Sequence, residues 1–259
     1  MEYRVVVFAD ILGFKAMVSH ISLSEIANKV SRLVERSEVA QVSGSVNFDV
    51  GHAHFSDALL LWGPDMSGID TEEKIKIRKA MMMVASSFLG RSIEDEIPLR
   101  MGVAEGSVLI DSDSNIYVGQ PIIDAYLLES QQQWVGGAVH PSFGSGELLD
   151  SPHHDLVRYE IPLKENSQSQ SELAVNWQYC TVGSEDVSVD SLRKKLCTMR
   201  EQARLDVTPE ERNSVLMKYE NSLRFLEWAS EIYPNRHRQS DAFSVVPSAQ
   251  LQSRGCCVR

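Results

Sequence analysis

The sequence predicts an α+β fold, a sheet with helices on one face. Three observations carry that expectation. Apolar runs of strand length recur at residues 3–9, 58–62 and 99–103. Segments with helical spacing fall between them, giving the order strand, helix, strand, strand, helix, strand, strand, helix, strand. The chain also lacks a glycine-rich dinucleotide fingerprint, a phosphate-loop lysine motif and internal repeats, which removes the common nucleotide-binding α/β folds.

Each element has a local reason. Residues 3–9 are almost continuously apolar, as a central strand buried on both faces requires. Residues 11–13 interrupt that run. A helix follows, capped by Ser22 or Ser24, with Ile26, Val30, Leu33 and Val34 at helical spacing. Residues 46–50 alternate and read as a strand, 51–54 as a turn-like connection, and 58–62 as a strand ended by Gly63-Pro64. Asp70-Thr71-Glu72-Glu73 places acids at the positive end of a helix. Ile77, Met81, Val84, Ala85 and Phe88 form its buried stripe, and Met81-Met82-Met83 read as core filler. Residues 99–103 and 107–110 read as two strands joined at Glu105-Gly106. Residues 116–118 are extended, and Gly119-Gln120-Pro121 opens a helix with proline in its first turn. Residues 134–140 give a further strand. Strands at 156–162 and 174–181 are expected to form a hairpin anchored by Trp177. Helices at 189–204 and 209–231 follow, the second started by Thr208-Pro209-Glu210-Glu211.

The 259 residues allow one large domain, or one domain with an appendage, at about 150 residues per domain. The reading is a catalytic domain at 1–140, a hairpin-plus-helices extension at 141–235 packed on the core or across a dimer, and a flexible tail at 236–259. The formal net charge of −11 argues against nucleic acid or an anionic membrane as partner. A small anionic substrate stays open, provided a metal or a local cation receives it. No apolar run reaches the ~18 residues of a membrane span, and the first ten residues read as a strand rather than a signal peptide. The four cysteines have neither zinc-site nor disulfide spacing, so a cytoplasmic location is expected.

Asp10 directly follows the first strand, and Asp57 directly precedes the 58–62 strand. Aspartate is a poor strand residue, and a charge beside a buried strand needs a partner. If the two strands are adjacent the carboxylates converge, which suits Mg²⁺ or Mn²⁺ with substrate phosphates. The alternative is that each aspartate caps a turn or a helix start.

The local strings favour the metal reading. Phe8-Ala9-Asp10-Ile11-Leu12-Gly13-Phe14 resembles the metal-binding strand and turn of the class III nucleotide cyclases. Phe55-Ser56-Asp57 before an apolar strand is similar to their second metal aspartate, with Ser56 where the family usually has glycine. Leu99-Arg100-Met101-Gly102 through Gly106 is similar to the family's Arg-x-Gly-x-x-x-Gly strand and turn. Tyr117-Val118-Gly119-Gln120 through Ala125-Tyr126-Leu127-Leu128-Glu129-Ser130 resembles its Gly-led helix. These four motifs, in order, span roughly half the chain. The resemblance implies a ferredoxin-like βαββαβ core, followed here by the C-terminal hairpin and two helices.

The departures narrow it. The purine-reading lysine of the family falls at Ala53, and its transition-state Asn and Arg fall at Ile123 and Leu127. Loss of the purine apparatus with both aspartates kept resembles the bacterial Pycsar pyrimidine cyclases. That resemblance implies a homodimer that converts UTP, or next CTP, to the 3′,5′-cyclic monophosphate and diphosphate. It also implies a separate cyclic-nucleotide-binding effector and a role in anti-phage defence. Two Mn²⁺ or Mg²⁺ ions are implied on Asp10, Asp57 and the Ile11 carbonyl, with the phosphates cradled by Leu12, Gly13 and Phe14. Arg100 reads either as a fixed cation near the phosphates or base, or as a surface strand arginine. His54, its neighbour His52 and Tyr126 are candidates to face the base, against plain packing roles. Two alternatives stand beside this reading, a degenerate nucleotide- or partner-binding domain without turnover, and a purine cyclase.

Overall fold

The computed structural model describes residues 1–35, 39–42, 46–149, 154–167, 171–181, 187–233 and 243–245. In chain order the elements are β1 (Glu2–Ile11), α1 (Phe14–His20), α2 (Leu23–Glu35), β2 (Val39–Val42), β3 (Val46–Asp49), β4 (Gly51–Phe55), β5 (Ala58–Trp62) and α3 (Thr71–Glu94). Then come β6 (Leu99–Asp111), β7 (Ile116–Gly119), α4 (Gln120–Gln131), β8 (Gly136–Val139), α5 (Gly146–Leu149), β9 (Leu156–Arg158) and β10 (Leu173–Val175). The chain continues through α6 (Trp177–Thr181), α7 (Val189–Leu205), α8 (Pro209–Ile232) and β11 (Phe243–Val245).

β1 lies between β5 and β6, antiparallel to both, and β4 pairs with β5. The order β6-β1-β5-β4, with helical connections before β4 and before β6, is the ferredoxin-like βαββαβ arrangement. The α+β class with a C-terminal hairpin and two long helices is therefore as expected. β8 joins parallel to β6, and β10 and β9 continue the same sheet, so the extension adds strands to the core rather than standing apart.

Side chains alternate across β1. Val5, Val7, Ala9 and Ile11 face the main core, where α2 supplies Ile26 and Val30 and α3 supplies Met81 and Phe88. Val6 faces the other way, into a smaller cluster with Leu60, Trp62, Ala104 and Ala125. Helices thus cover both faces, which corrects the one-face expectation. α4 crosses the second face so closely that a Cβ on Gly102 would meet the Ala125 carbonyl oxygen at 2.1 Å. The glycine of the Arg-x-Gly string is the residue that lets helix and strand backbones touch. Asp70 caps α3 by accepting from the Glu73 N–H at 2.9 Å, and the methionine run is buried.

Four boundaries differ from expectation. Residues 51–54 belong to strand β4 rather than a connection, and they make a hairpin with β5. Residues 99–111 form one strand, β6, because buried Glu105 pairs with Arg78 of α3 instead of turning the chain. The 174–181 strand stops at Val175, and Trp177 opens the short α6, still buried as an anchor and packed on Phe225. The 156–162 strand ends at Arg158, and the hairpin with β10 stands. Phe243–Val245 pairs with β2 beside β3, and the rest of the 236–259 segment lies outside the described residues. No helix among the described residues is long and apolar enough to cross a membrane.

Candidate active site

Asp10 is the penultimate residue of β1, opposite Ala58 on β5 and Arg100 on β6. Asp57 is the second residue of the two-residue turn joining β4 to β5, next to Ala58. The Ile11 N–H donates to the Asp57 carbonyl at 2.9 Å, which pins the hairpin tip to the end of β1. Hairpin and central strand thus carry the two aspartates to one end of the sheet. Ser56 takes a left-handed φ of 59° in this turn, where glycine would meet no penalty. The departure from glycine at this position is therefore tolerated, at a local conformational cost.

The carboxylates feel each other. Burial raises the Asp10 carboxyl above its ordinary value, Arg100 opposes that, and the charge of Asp57 adds to it. Relief of such a like-charge pair is what a divalent cation provides. Two carboxylates and a nearby backbone carbonyl are hard oxygen donors, the set that Mg²⁺ and Mn²⁺ prefer. The donors present fit such ions. Among the described residues there is no group of three or more His, Cys, Asp and Glu side chains placed to hold a metal.

Of the two sequence readings of Arg100, the surface strand arginine is corrected by its burial, with 6% of its surface exposed. Its Nε donates to Glu129 Oε1 of α4, its Nη1 donates to the Gln132 carbonyl at 3.1 Å, and its Nη2 stands 3.8 Å from Asp10 Oδ2. It is a tethered guanidinium beside the Asp10 carboxylate, not a surface arginine. Burial also raises the Glu129 carboxyl, against the pull of Arg100.

The β1–α1 turn lies next to the aspartates. Gly13 holds φ 74° there, a conformation that other residues adopt only under strain. Leu12 and Gly13 line a cavity of about 370 Å³ whose other walls include Met17, Met199, Lys218 and Tyr219. Phe14 begins α1 and packs partly against the core.

The base-reading candidates fall on different faces: Tyr126 belongs to the second face, whereas His52 and His54 alternate with the second-face residue Ala53 on β4 and register with the main-core residues Leu61 and Leu59. His52 and His54 are exposed on β4, flanking the buried Ala53. His54 Nε2 lies 2.7 Å from the Ser56 carbonyl, so its ring is tied to the turn that presents Asp57. Tyr126 of α4 is half exposed and packs edge-on against Phe8 at 5.4 Å between centroids. Phe8 shares the face of Asp10. Ile123 and Leu127 are exposed beside Tyr126, so the family's Asn and Arg positions carry solvent-facing apolar groups.

Two residues of this neighbourhood lay outside the sequence reading. Lys164, which follows the β9 segment, donates from Nζ to the Ser130 carbonyl at 2.6 Å. Lys218 of α8 is half-buried and borders the cavity. Burial lowers both ammonium groups, and the neighbouring Arg100 lowers them further. Both act electrostatically on Asp10.

No family model and no curated protein matches this chain. Solved structures similar to it include the catalytic core of a rhodopsin-guanylyl cyclase with converted specificity, bound to ATPαS. That match has 15% identity and a TM-score of 0.44, covering 67% of this chain and 95% of the other. A second is an adenylate cyclase from Trypanosoma brucei, with 12% identity and a TM-score of 0.43, covering 71% of this chain and 92% of the other. A third is a class III adenylyl cyclase-like ATP-binding protein from Pseudomonas aeruginosa, with 12% identity and a TM-score of 0.38, covering 86% of this chain and 44% of the other.

Proposed function

We propose that this chain is a pyrimidine nucleotide cyclase, converting UTP, or next CTP, to the 3′,5′-cyclic monophosphate and diphosphate. The observation that carries the proposal is the pairing of Asp10 and Asp57 at one end of the sheet through the Ile11–Asp57 backbone bond. In the reaction the ribose 3′-oxygen bonds to the α-phosphorus. The α–β bridging P–O bond breaks, diphosphate departs with the bonding pair, and the 3′-hydroxyl proton passes to solvent. Bound Mn²⁺ or Mg²⁺ would supply Lewis acidity toward the 3′-oxygen and the phosphates. Asp10, Asp57 and the Ile11 carbonyl would hold these ions. The Leu12–Phe14 backbone would receive the outer phosphates, and Gly13 permits that close approach. Tyr126, on the face of Asp10, is the candidate to flank the base, and Ala53 offers no group to read a purine.

The same face supports a homodimer. Phe55, Ile123, Tyr126 and Leu127 are large apolar residues left exposed on β4 and α4. Exposed apolar groups grouped in this way fit a protein partner, and a second copy is the simplest one. Synthesis of a second messenger for an anti-phage effector follows from the resemblance to the Pycsar group. Ile123 and Leu127 at the expected Asn and Arg positions favour a second reading, a nucleotide-binding domain without turnover. Separate incubations with ATP, GTP, CTP and UTP plus Mn²⁺, with Asp57→Ala as control, test the two. The expected outcome is one cyclic pyrimidine product from wild type alone. No product from any nucleotide with folded, dimeric protein would leave the binding reading.

A further inference from the structure

The extension brings positive charge to the aspartate end of the sheet. α8 is fastened to the segment that follows α4. Gln133 donates to the Ser214 carbonyl at 2.6 Å, and Asn221 donates to the Gln133 carbonyl at 2.7 Å. The Ser222 hydroxyl accepts from the Val135 N–H at 2.8 Å. Lys218 lies four residues from both Ser214 and Ser222, so it shares the helix face held against residues 133–135. The preceding residue, Gln132, gives its carbonyl to Arg100. The Lys164 backbone N–H donates to the Gln131 carbonyl at 2.8 Å, fixing that lysine on the same segment.

Three cations, Arg100, Lys164 and Lys218, therefore gather near Asp10, and Lys218 also borders the cavity that Leu12 and Gly13 line. They differ in what occupies them. Arg100 is held by Glu129 and Gln132, and Lys164 by Ser130. Among the described residues the Lys218 ammonium makes no hydrogen bond and no ion pair, although it is half-buried and feels the cations Arg100 and Lys164 as well as the carboxylates Asp10 and Glu129. An unpaired, desolvated cation is costly to keep. An anion at this place would remove that cost.

Resting on the cyclase reading, we propose that Lys218, with Lys164 beside it, contacts the outer phosphates of the bound nucleotide. The extension would thus supply positive charge that Ile123 and Leu127 cannot. Negative charge grows on the departing diphosphate as the bridging P–O bond breaks, and a fixed ammonium at that end stabilises it. This gives the C-terminal helices a part in the chemistry beyond packing.

The test is calorimetric titration of the full chain with diphosphate in the presence of Mg²⁺, which needs no turnover. Wild type, Lys218→Met and Lys218→Arg are compared, with melting temperature recorded for each. The expected result is that Lys218→Met weakens diphosphate binding by about tenfold or more. Lys218→Arg should keep most of the affinity, and Lys218→Met should melt no lower than wild type. Equal binding by wild type and Lys218→Met, or no binding by wild type, overturns the inference. Lys218-dependent binding with no cyclic product from any nucleotide supports it while removing the cyclase reading.

Discussion

Strand β6 takes part in two buried Arg–Glu pairs with opposite surroundings. At its middle Glu105 accepts a two-pronged bond from Arg78, through Nε at 2.7 Å and Nη2 at 2.5 Å, and also accepts from the Gly144 N–H at 3.2 Å. That pair is closed, with no part in the aspartate site. At the start of the strand Arg100 binds Glu129 and the Gln132 carbonyl, yet still faces Asp10 at 3.8 Å. The first pair fastens α3 to the sheet. The second fastens α4 and holds a cation at a fixed distance from a candidate metal ligand. A buried ion pair is weak evidence of function in itself. What separates these two is whether a third charged group depends on the geometry.

Substitutions at the aspartates should give the largest effects. Asp10→Asn and Asp57→Ala should each reduce cyclic product by on the order of 10³-fold or more, measured by chromatography with Mn²⁺ at saturating nucleotide. Retention of activity in either variant would detach the carboxylates from the chemistry.

The two pairs themselves should respond differently. Glu129→Gln releases Arg100 and should cut turnover by roughly 10–100-fold, the range seen when a residue supporting a metal ligand is lost. Glu105→Gln should lower stability by about 3 kcal/mol in denaturant melts, the cost of breaking a buried pair, while turnover of the folded protein stays within about twofold. Equal effects of both variants on turnover would erase the distinction.

Asp10 also sets a pH dependence. Its carboxyl is raised, so the folded chain binds that proton more tightly than the unfolded chain does, and this contribution to stability is lost as pH rises through the folded value. Asp10→Asn should therefore melt a few degrees above wild type at pH 7, with the gap closing as the pH is lowered and the wild-type carboxyl protonates. A lower melting temperature for Asp10→Asn at pH 7 would mean that Arg100 outweighs burial and Asp57 together.

The smallest effect belongs to the hairpin tip. Ser56→Gly removes the left-handed penalty at φ 59° and should stabilise by about 1 kcal/mol or less in denaturant melts, with unchanged product formation.

Much of the fold was legible because the signals are local. The apolar run of β1, the acidic cap of α3 and the proline start of α4 each specify their element within a few residues. β4 escaped because it is an edge strand, with His52 and His54 exposed around a small Ala53. β6 read as two strands because Glu105-Gly106 has turn chemistry, and the arginine that satisfies Glu105 lies in a different element. The site divides in the same way. Asp10 and Asp57 stand beside apolar strands and could be picked out. The buried state of Arg100 depends on Glu129 and Gln132, and the place of Lys164 and Lys218 depends on how the extension returns to the core. A polar stripe of Ser214, Lys218 and Ser222 on α8 was the one local sign that this face meets polar backbone.

The central claim is that Asp10 and Asp57 jointly hold catalytic metal. Mn²⁺ titration followed by electron paramagnetic resonance, with a non-cyclisable UTP analogue present, tests it without turnover. The account predicts two bound Mn²⁺ per site in the wild type and loss of both, or a large fall in their affinity, in Asp10→Asn and in Asp57→Ala. Mn²⁺ binding that is unchanged by either substitution would contradict it.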